Sequence, residues 1–404
     1  MFYLLAFSFI IFYTMPSIIL ALLQIQHVAK KMKQDPVILS SNDYIEAGKY
    51  SLAKLKLSVV QNLIEMILFL IWISNGLSLL ENIFSRWEFP QNIHFLFFVL
   101  GFLLISLVIS LPMNFYETMI LDKKFGFSKI TFGLFVKDFF KSLIMVIVIG
   151  GILVFLLIYI MENFQYWWLQ GFFLVFIFAI LVNVLYPILI APIFNKFTPL
   201  DNDSLREKIE AMMQKVGFRS NGIFVMDASK RDGRLNAYFG GLGKSKRVVL
   251  FDTLLEKVSQ DGLLSILGHE LGHFKHKDII KNLFTMSILL FIIFFLAGNL
   301  PQSFFEIMNI SLNPGSTIVF LILIVPVISF WAMPILGYFS RRAEFRADEY
   351  GAMLTSKRCL AEALIRIVNE NKAFPCSHSA YIFFYYTHPP LLKRLEALDY
   401  HMEK

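Results

Sequence analysis

The sequence predicts an all-α membrane protein of seven transmembrane helices. Between the fifth and sixth lies a small α+β cytoplasmic segment, whose β-hairpin sits next to a helix carrying the run His-Glu-x-x-His. Three observations lead there. Of 404 residues, 57% are hydrophobic and 17% charged, too apolar a balance for a soluble globular chain. Seven stretches are long and apolar enough to cross a bilayer. The one substantial polar interval, about 196–260, changes from helical to alternating periodicity.

The apolar stretches are 2–23, 57–80, 94–111, 142–161, 168–190, 283–300 and 318–333. The last is short by itself and is expected to continue as a helix toward Arg341. The first begins without a basic leader or a small-residue cleavage pattern, so it reads as a retained span rather than a signal peptide. An odd number of spans puts the termini on opposite sides. Lys30, Lys31, Lys33, Lys49, Lys54 and Lys56 follow span one, and Lys123, Lys124, Lys129, Lys137 and Lys141 follow span three, whereas the alternate short loops hold little positive charge besides Arg86. By the positive-inside rule the N-terminus is outside, and the C-terminus and the 196–260 interval are cytoplasmic. The net charge of +7 is then what loops facing anionic lipid call for. No basic stripe interleaved with aromatics points to nucleic acid. Cys359 and Cys376 fall on the reducing side, and neither has metal-ligand spacing.

In chain order, Gln61, Asn62, Glu65 and Asn75 interrupt span two. An ionisable group at membrane depth faces a wet interior or reaches headgroups, and both readings of Glu65 stand. Span three is expected to close near Pro112, with Phe125-Gly126-Phe127 packing on other parts of the protein. Two prolines, Pro187 and Pro192, are expected to break the helix at the end of span five. A helix over 204–216 ends at Gly217. A strand follows over 222–226, then a hairpin whose arms are 236–239 and 247–251, joined by a Gly-rich turn through Gly243. Its first arm either offers an exposed edge for an added peptide strand or simply covers the next helix.

That next helix starts from Ser259 as N-cap, with Leu263, Leu264, Ile266 and Leu267 as an apolar face. His269 and His273, four apart, share one helix face and can offer two imidazole nitrogens to one ion. Glu270 lies one position round, beside the ion, where a general base belongs. With an open position for water, this is the pattern of a hydrolytic zinc site. No breaker precedes span six, so one continuous helix is expected, with the ion at the cytoplasmic mouth of the membrane. A third ligand is required, and His276, His378, His388 and a downstream carboxylate are the candidates. His276 is offset along the helix axis and reads as a solvated residue. Glu344 is better placed, in a helical stretch leaving span seven. Asp348, one turn on, can take the outer N–H of a metal-bound imidazole. From spacing alone, a surface carboxylate is an equal reading of Glu344.

Several ordered stretches together resemble one family. They are Tyr186 to Leu200 (Tyr-Pro…Ala-Pro-x-Phe-Asn-Lys-Phe-x-Pro-Leu), Asn236-Ala237-Tyr238-Phe239, Arg247 to Leu255, the His-Glu-x-x-His, Ser340-Arg341…Glu344…Ala347-Asp348, and Thr387-His388-Pro389-Pro390. The chain resembles the integral-membrane zinc metalloproteases of the CAAX prenyl protease 1 family over nearly its whole length. The resemblance implies Glu344 as third ligand of one Zn²⁺ per chain, with His269 and His273, and Asp348 as supporting carboxylate or proton donor. It also implies that His388 steadies the oxyanion, that the strand from Asn236 and Ala237 binds peptide, and that the seven helices enclose a chamber. Arg231-Asp232-Gly233-Arg234-Leu235 departs from the Ser/His-rich run the family has there. The chain divides into 1–195, with five spans, and 196–404, with the metallopeptidase part.

The expected activity is endoproteolysis. Glu270 takes a proton from water activated by zinc, and Glu270 or Asp348 delivers it to the leaving amine. The partners are a lipid bilayer and a peptide, the resemblance pointing to removal of the last three residues of a prenylated CAAX terminus. Three alternatives stand beside it: quality control of membrane proteins with unlipidated substrates, a non-enzymatic channel or assembly factor with structural zinc, and a site-2 type protease. The last needs an aspartate ligand that spans six and seven do not offer. A chain shorter than the eukaryotic members, without an ER-retrieval tail, favours a bacterial inner membrane over the ER. Native substrate and oligomeric state are not legible.

Overall fold

The computed structural model describes residues 2–241, 246–306 and 308–401. Seven of its helices are long and apolar enough to cross a membrane: Tyr3–Lys31, Ser41–Phe84, Gln91–Lys124, Phe132–Asn163, Trp167–Phe194, Asp278–Gly298 and Pro314–Leu354. Five contain the expected span outright, the first starts one residue later and the sixth ends two residues earlier, and several continue well past the apolar stretch at the basic end. Two expected breaks are absent. Span three runs through Pro112 to Lys124, and span five passes both prolines to reach Phe194. Pro187 and Pro192 each open a new helical turn, where a missing N–H is no loss. Beyond Pro112 a π-helical turn, Tyr116–Leu121, re-routes the hydrogen bonds and lets the helix continue.

The membrane part packs around large aromatic side chains. Phe9 of span one stacks on Phe69 of span two with ring centroids 3.9 Å apart, and Trp72, Phe98, Phe102 and Phe172 extend the same core. Glu65 lines a cavity of about 330 Å³ with Tyr13, Ser17, Gln61 and Asn62, and the Tyr13 hydroxyl donates to it at 2.8 Å. Of the two readings of Glu65, the polar interior is the one observed.

A second core holds the segment between spans five and six together. Leu205, Ile209 and Met213 of helix Asp203–Val216 meet Val248 and Leu250 of the sheet and Leu263, Leu267 and Leu271 of helix Gln260–Lys275. Helix Asp203–Val216 is capped by the Asn202 side chain and stops at Gly217, whose φ of 71° is left-handed. Four strands, β1 (Phe197–Pro199), β2 (Ile223–Met226), β3 (Ala237–Gly240) and β4 (Arg247–Phe251), form one sheet in the order β1-β2-β4-β3. The hairpin arms pair antiparallel, Ala237 opposite Leu250 and Gly240 opposite Arg247. The turn through Gly243 lies outside the described residues. Strand β1, three residues with a proline, carries too little pattern to be expected. Among the described residues β3 is left with one free edge.

The expected continuous helix from the His-Glu-x-x-His into span six is interrupted. Helix Gln260–Lys275 ends, Lys277 takes a left-handed φ of 55°, and helix Asp278–Gly298 begins in a new direction. A non-glycine residue there costs on the order of 1 kcal/mol, and no glycine or proline marks the break. One smaller expectation also changes. His276 is half-buried, edge-on to Tyr350. Cys359 and Cys376 are half-buried thiols, and Tyr44 donates to Cys376 at 3.8 Å.

Candidate metal centre

Helix Gln260–Lys275 starts where the Ser259 hydroxyl accepts the Gly262 N–H, and its rise stacks His269 and His273 with ring centroids 4.9 Å apart. The helix crosses Pro314–Leu354 at very short range. A Cβ on Gly272 would stand 2.8 Å from Ala347 Cα, and one on Gly351 would stand 2.7 Å from His269 N. Only small residues permit backbones this close. That crossing carries Glu344, on the membrane helix, under the two imidazoles.

Donor atoms of His269, His273 and Glu344 all lie within 4.8 Å of one another. His269 Nε2 is 3.5 Å from one Glu344 oxygen, and His273 Nε2 is 3.3 Å from the other. Both outward nitrogens meet carboxylates: His269 Nδ1 is 2.8 Å from Asp348 and His273 Nδ1 is 3.1 Å from Asp278. Arg394 grips Asp348 through Nε and Nη2 at 2.7 and 2.6 Å, while Lys281 and Arg346 each reach Asp278 at 3.1 Å. Each imidazole therefore has its inward nitrogen aimed at the triad and its outward nitrogen held by an anion that is itself held by a cation.

The donor set fits a zinc ion. Glu344 is 4% exposed, yet its Oε2 has no hydrogen-bond partner; its near cation, Arg394 Nη1, stands 3.6 Å off. A buried carboxylate oxygen left without a donor is costly, and a cation shared with two imidazole nitrogens removes the cost. Two His and one Glu are a catalytic zinc set, with the fourth position open.

Glu270 is half-buried and lines two cavities. One, about 500 Å³, includes Asn236, Ala237, His269 and His388; the other, about 690 Å³, includes Phe218, Phe239, Gly240 and His273. Burial raises the Glu270 carboxyl above its ordinary range, against the pull of the two imidazoles. His388 Nε2 is 3.3 Å from Glu344, and His388 Nδ1 is 3.0 Å from the Thr387 hydroxyl. Asn236 turns its side-chain oxygen to the Ala237 N–H at 2.9 Å, so its amide works on the strand it precedes.

Asp348, 1% exposed, sits behind His269 with both oxygens engaged, the arrangement of a supporting carboxylate. His276 and His378 take no part in the triad. Sequence reading missed Asp278, Arg346 and Arg394. Asp278 had a signal, a carboxylate five residues past His273 at the mouth of a span. Arg394, 46 residues from its partner, had none.

Comparison with known proteins finds relatives over most of the chain. Residues 199–402 match the model of peptidase family M48, and residues 21–196 match that of the CAAX prenyl protease N-terminal region, five membrane helices. The CAAX prenyl protease 1 of Saccharomyces cerevisiae is 32% identical, over 92% of this chain and 90% of that protein. The CAAX prenyl protease 1 homolog of Homo sapiens is 32% identical, over 78% and 74%. The crystal structure of S. mikatae Ste24p superposes with a TM-score of 0.92 at 29% identity, covering 99% of both chains.

Proposed function

The chain belongs to peptidase family M48, with the CAAX prenyl proteases, and from that premise we propose how its residues divide the work of a zinc-dependent membrane endopeptidase. One observation carries the proposal: two inward-facing imidazole nitrogens and a buried carboxylate converge within 4.8 Å, with Glu270 on the wall of both adjoining cavities. His269, His273 and Glu344 would hold the ion. Zinc, when bound, supplies a Lewis acid that acidifies water and polarises a carbonyl.

Glu270 takes the proton of the attacking water and returns it to the leaving amine; its raised pKa brings it nearer the working pH of such a base. Asp348 and Asp278 accept from the outer nitrogens of His269 and His273, so that the lone pairs point inward. His388, with Nδ1 within 3.0 Å of the Thr387 hydroxyl, offers a proton from Nε2 to the carbonyl oxygen as charge develops there. The free edge of β3, from Asn236 and Ala237, receives the peptide as an added strand.

The substrate we propose is a prenylated CAAX terminus, cut to release three residues. The names of the relatives support it, and so does the larger cavity, whose Phe218, Phe239, Phe274, Ile279 and Ile280 suit a lipid-tailed chain. The positive-inside distribution supports a cytoplasmic metal centre, with the N-terminus outside. A division near residue 196, with the five spans before it enclosing part of a chamber, is supported by where the two family models meet.

Incubating purified protein with a farnesylated CAAX peptide tests this. Wild type releases the tripeptide; Glu270→Gln keeps one zinc per chain and loses turnover by at least about 100-fold. Equal turnover by the variant would end the assignment of Glu270. Preferential cleavage of an unlipidated, misfolded membrane segment would replace the substrate class.

A further inference from the structure

We propose that Arg234 is the receptor for the free C-terminal carboxylate of the leaving tripeptide, and that Asp232 stands in for that carboxylate when no substrate is bound. The proposal rests on the tripeptide-releasing activity above and adds what measures the three residues.

Strand polarity comes first. Asn236 and Ala237, at the start of β3, line the cavity of about 500 Å³, and Phe239 and Gly240, at its end, line the one of about 690 Å³. Glu270 and Glu344 belong to both linings, so the bond to be cut lies between them. A peptide added in the antiparallel sense, the sense β3 already uses with β4 and the more stable one, runs opposite to β3. Its C-terminal part therefore falls at the Asn236 end. Three extended residues span about 10 Å, close to the width of a cavity of about 500 Å³.

Charge comes second. Apart from His269 and His388, the charged or titratable lining of that cavity is Asp232, Arg234, Glu270, Glu344 and Arg394. Glu270 and Glu344 belong to the metal centre, and Arg394 is buried and committed to Asp348. Arg234 is the remaining cation. One side of its guanidinium is anchored: Nη2 donates to Asp122 at 3.0 Å and to the Tyr50 hydroxyl at 2.5 Å, and the group lies 4.3 Å over the Phe127 ring. The other side, Nη1, donates at 2.6 Å to Asp232. The Asp122 side chain is 13% exposed and that of Asp232 is 43% exposed. The guanidinium thus has one partner built into the protein and one, open to the cavity, of the same chemistry as a peptide terminus. Its fork has donors enough to exchange or share that second carboxylate.

Matched farnesylated peptides ending in a free acid or an amide test the proposal. Wild type is expected to favour the acid by about tenfold or more in kcat/KM, expressed in KM. Arg234→Met should bring that ratio below about twofold, with Arg234→Lys between. Arg234 also ties the loop to Tyr50 and Asp122, so Asp232→Asn serves as a second variant. It removes the internal competitor and should lower KM for the acid but not for the amide. Equal kcat/KM for acid and amide in the wild type would overturn the proposal while leaving the protease reading intact. Cleavage of neither peptide, with an unlipidated protein still cut in a Glu270-dependent way, would remove the substrate reading and this proposal together.

Discussion

His273 shows how closely protonation and metal loading are linked in this site. In the metal-free protein, burial alone would depress its pKa, but the hydrogen bond and charge of Glu344, with Asp278 on the other nitrogen, raise it to about 9. Below that pH the imidazole holds a proton that zinc must displace, because a ligand nitrogen has to be neutral. Apparent zinc affinity should therefore climb with pH by up to about tenfold per unit, flattening above about 9. A chelator-competition titration between pH 6 and pH 10 measures it, and a flat profile would contradict the Glu344 contact. The same residue could be picked out from sequence, since i and i+4 share a helix face. Its outer partner Asp278 left only the weak signal of a nearby carboxylate, because the contact itself needs the chain to turn back at Lys277.

The crossing of helix Gln260–Lys275 over Pro314–Leu354 is the element-scale feature on which the triad depends. Gly268, Gly272, Ala347 and Gly351 let the backbones touch, and the atoms an added Cβ would meet are backbone atoms that cannot swing aside. Gly272→Ala is expected to force the helices apart, with a loss of about 1–3 kcal/mol in stability and at least about tenfold in zinc affinity. Thermal unfolding in detergent and zinc per chain read out both; wild-type zinc binding would show that the crossing tolerates a wider gap. Each helix was legible by itself from periodicity and caps, as was Glu344 as a candidate. Their contact was not, because small residues are also ordinary inside membrane helices.

At the scale of the whole molecule, the orientation proposed above, with the metal centre in the cytoplasm, is open to direct test. Cys359 lies in helix Lys357–Glu370, on the side of the metal centre, and Tyr166, exposed between spans four and five, lies on the other. With the remaining cysteines replaced, Tyr166→Cys should react with an impermeant maleimide in intact cells, and Cys359 only after permeabilisation. The opposite pattern would invert the topology. The two halves of the chain are joined through polar contacts: Arg231 holds Asp138 with two bonds of 2.7 and 3.0 Å, Gly233 N–H reaches Phe127 O at 2.8 Å, and Arg234 reaches Asp122. The segment before β3 is thus held by the membrane part of the chain.

Hydropathy and periodicity, which are properties of consecutive residues, determined by themselves the solvent, the seven spans, the hairpin and two of the three candidate metal ligands. What only the tertiary structure decided were contacts between residues far apart in the chain: the place of Glu344 under the imidazoles, the Arg394 grip on Asp348, and the setting of Arg234 between a less and a more exposed carboxylate. The break at Lys277 belongs with them. A single left-handed residue costs little, so packing selects it, and no local pattern announces the choice.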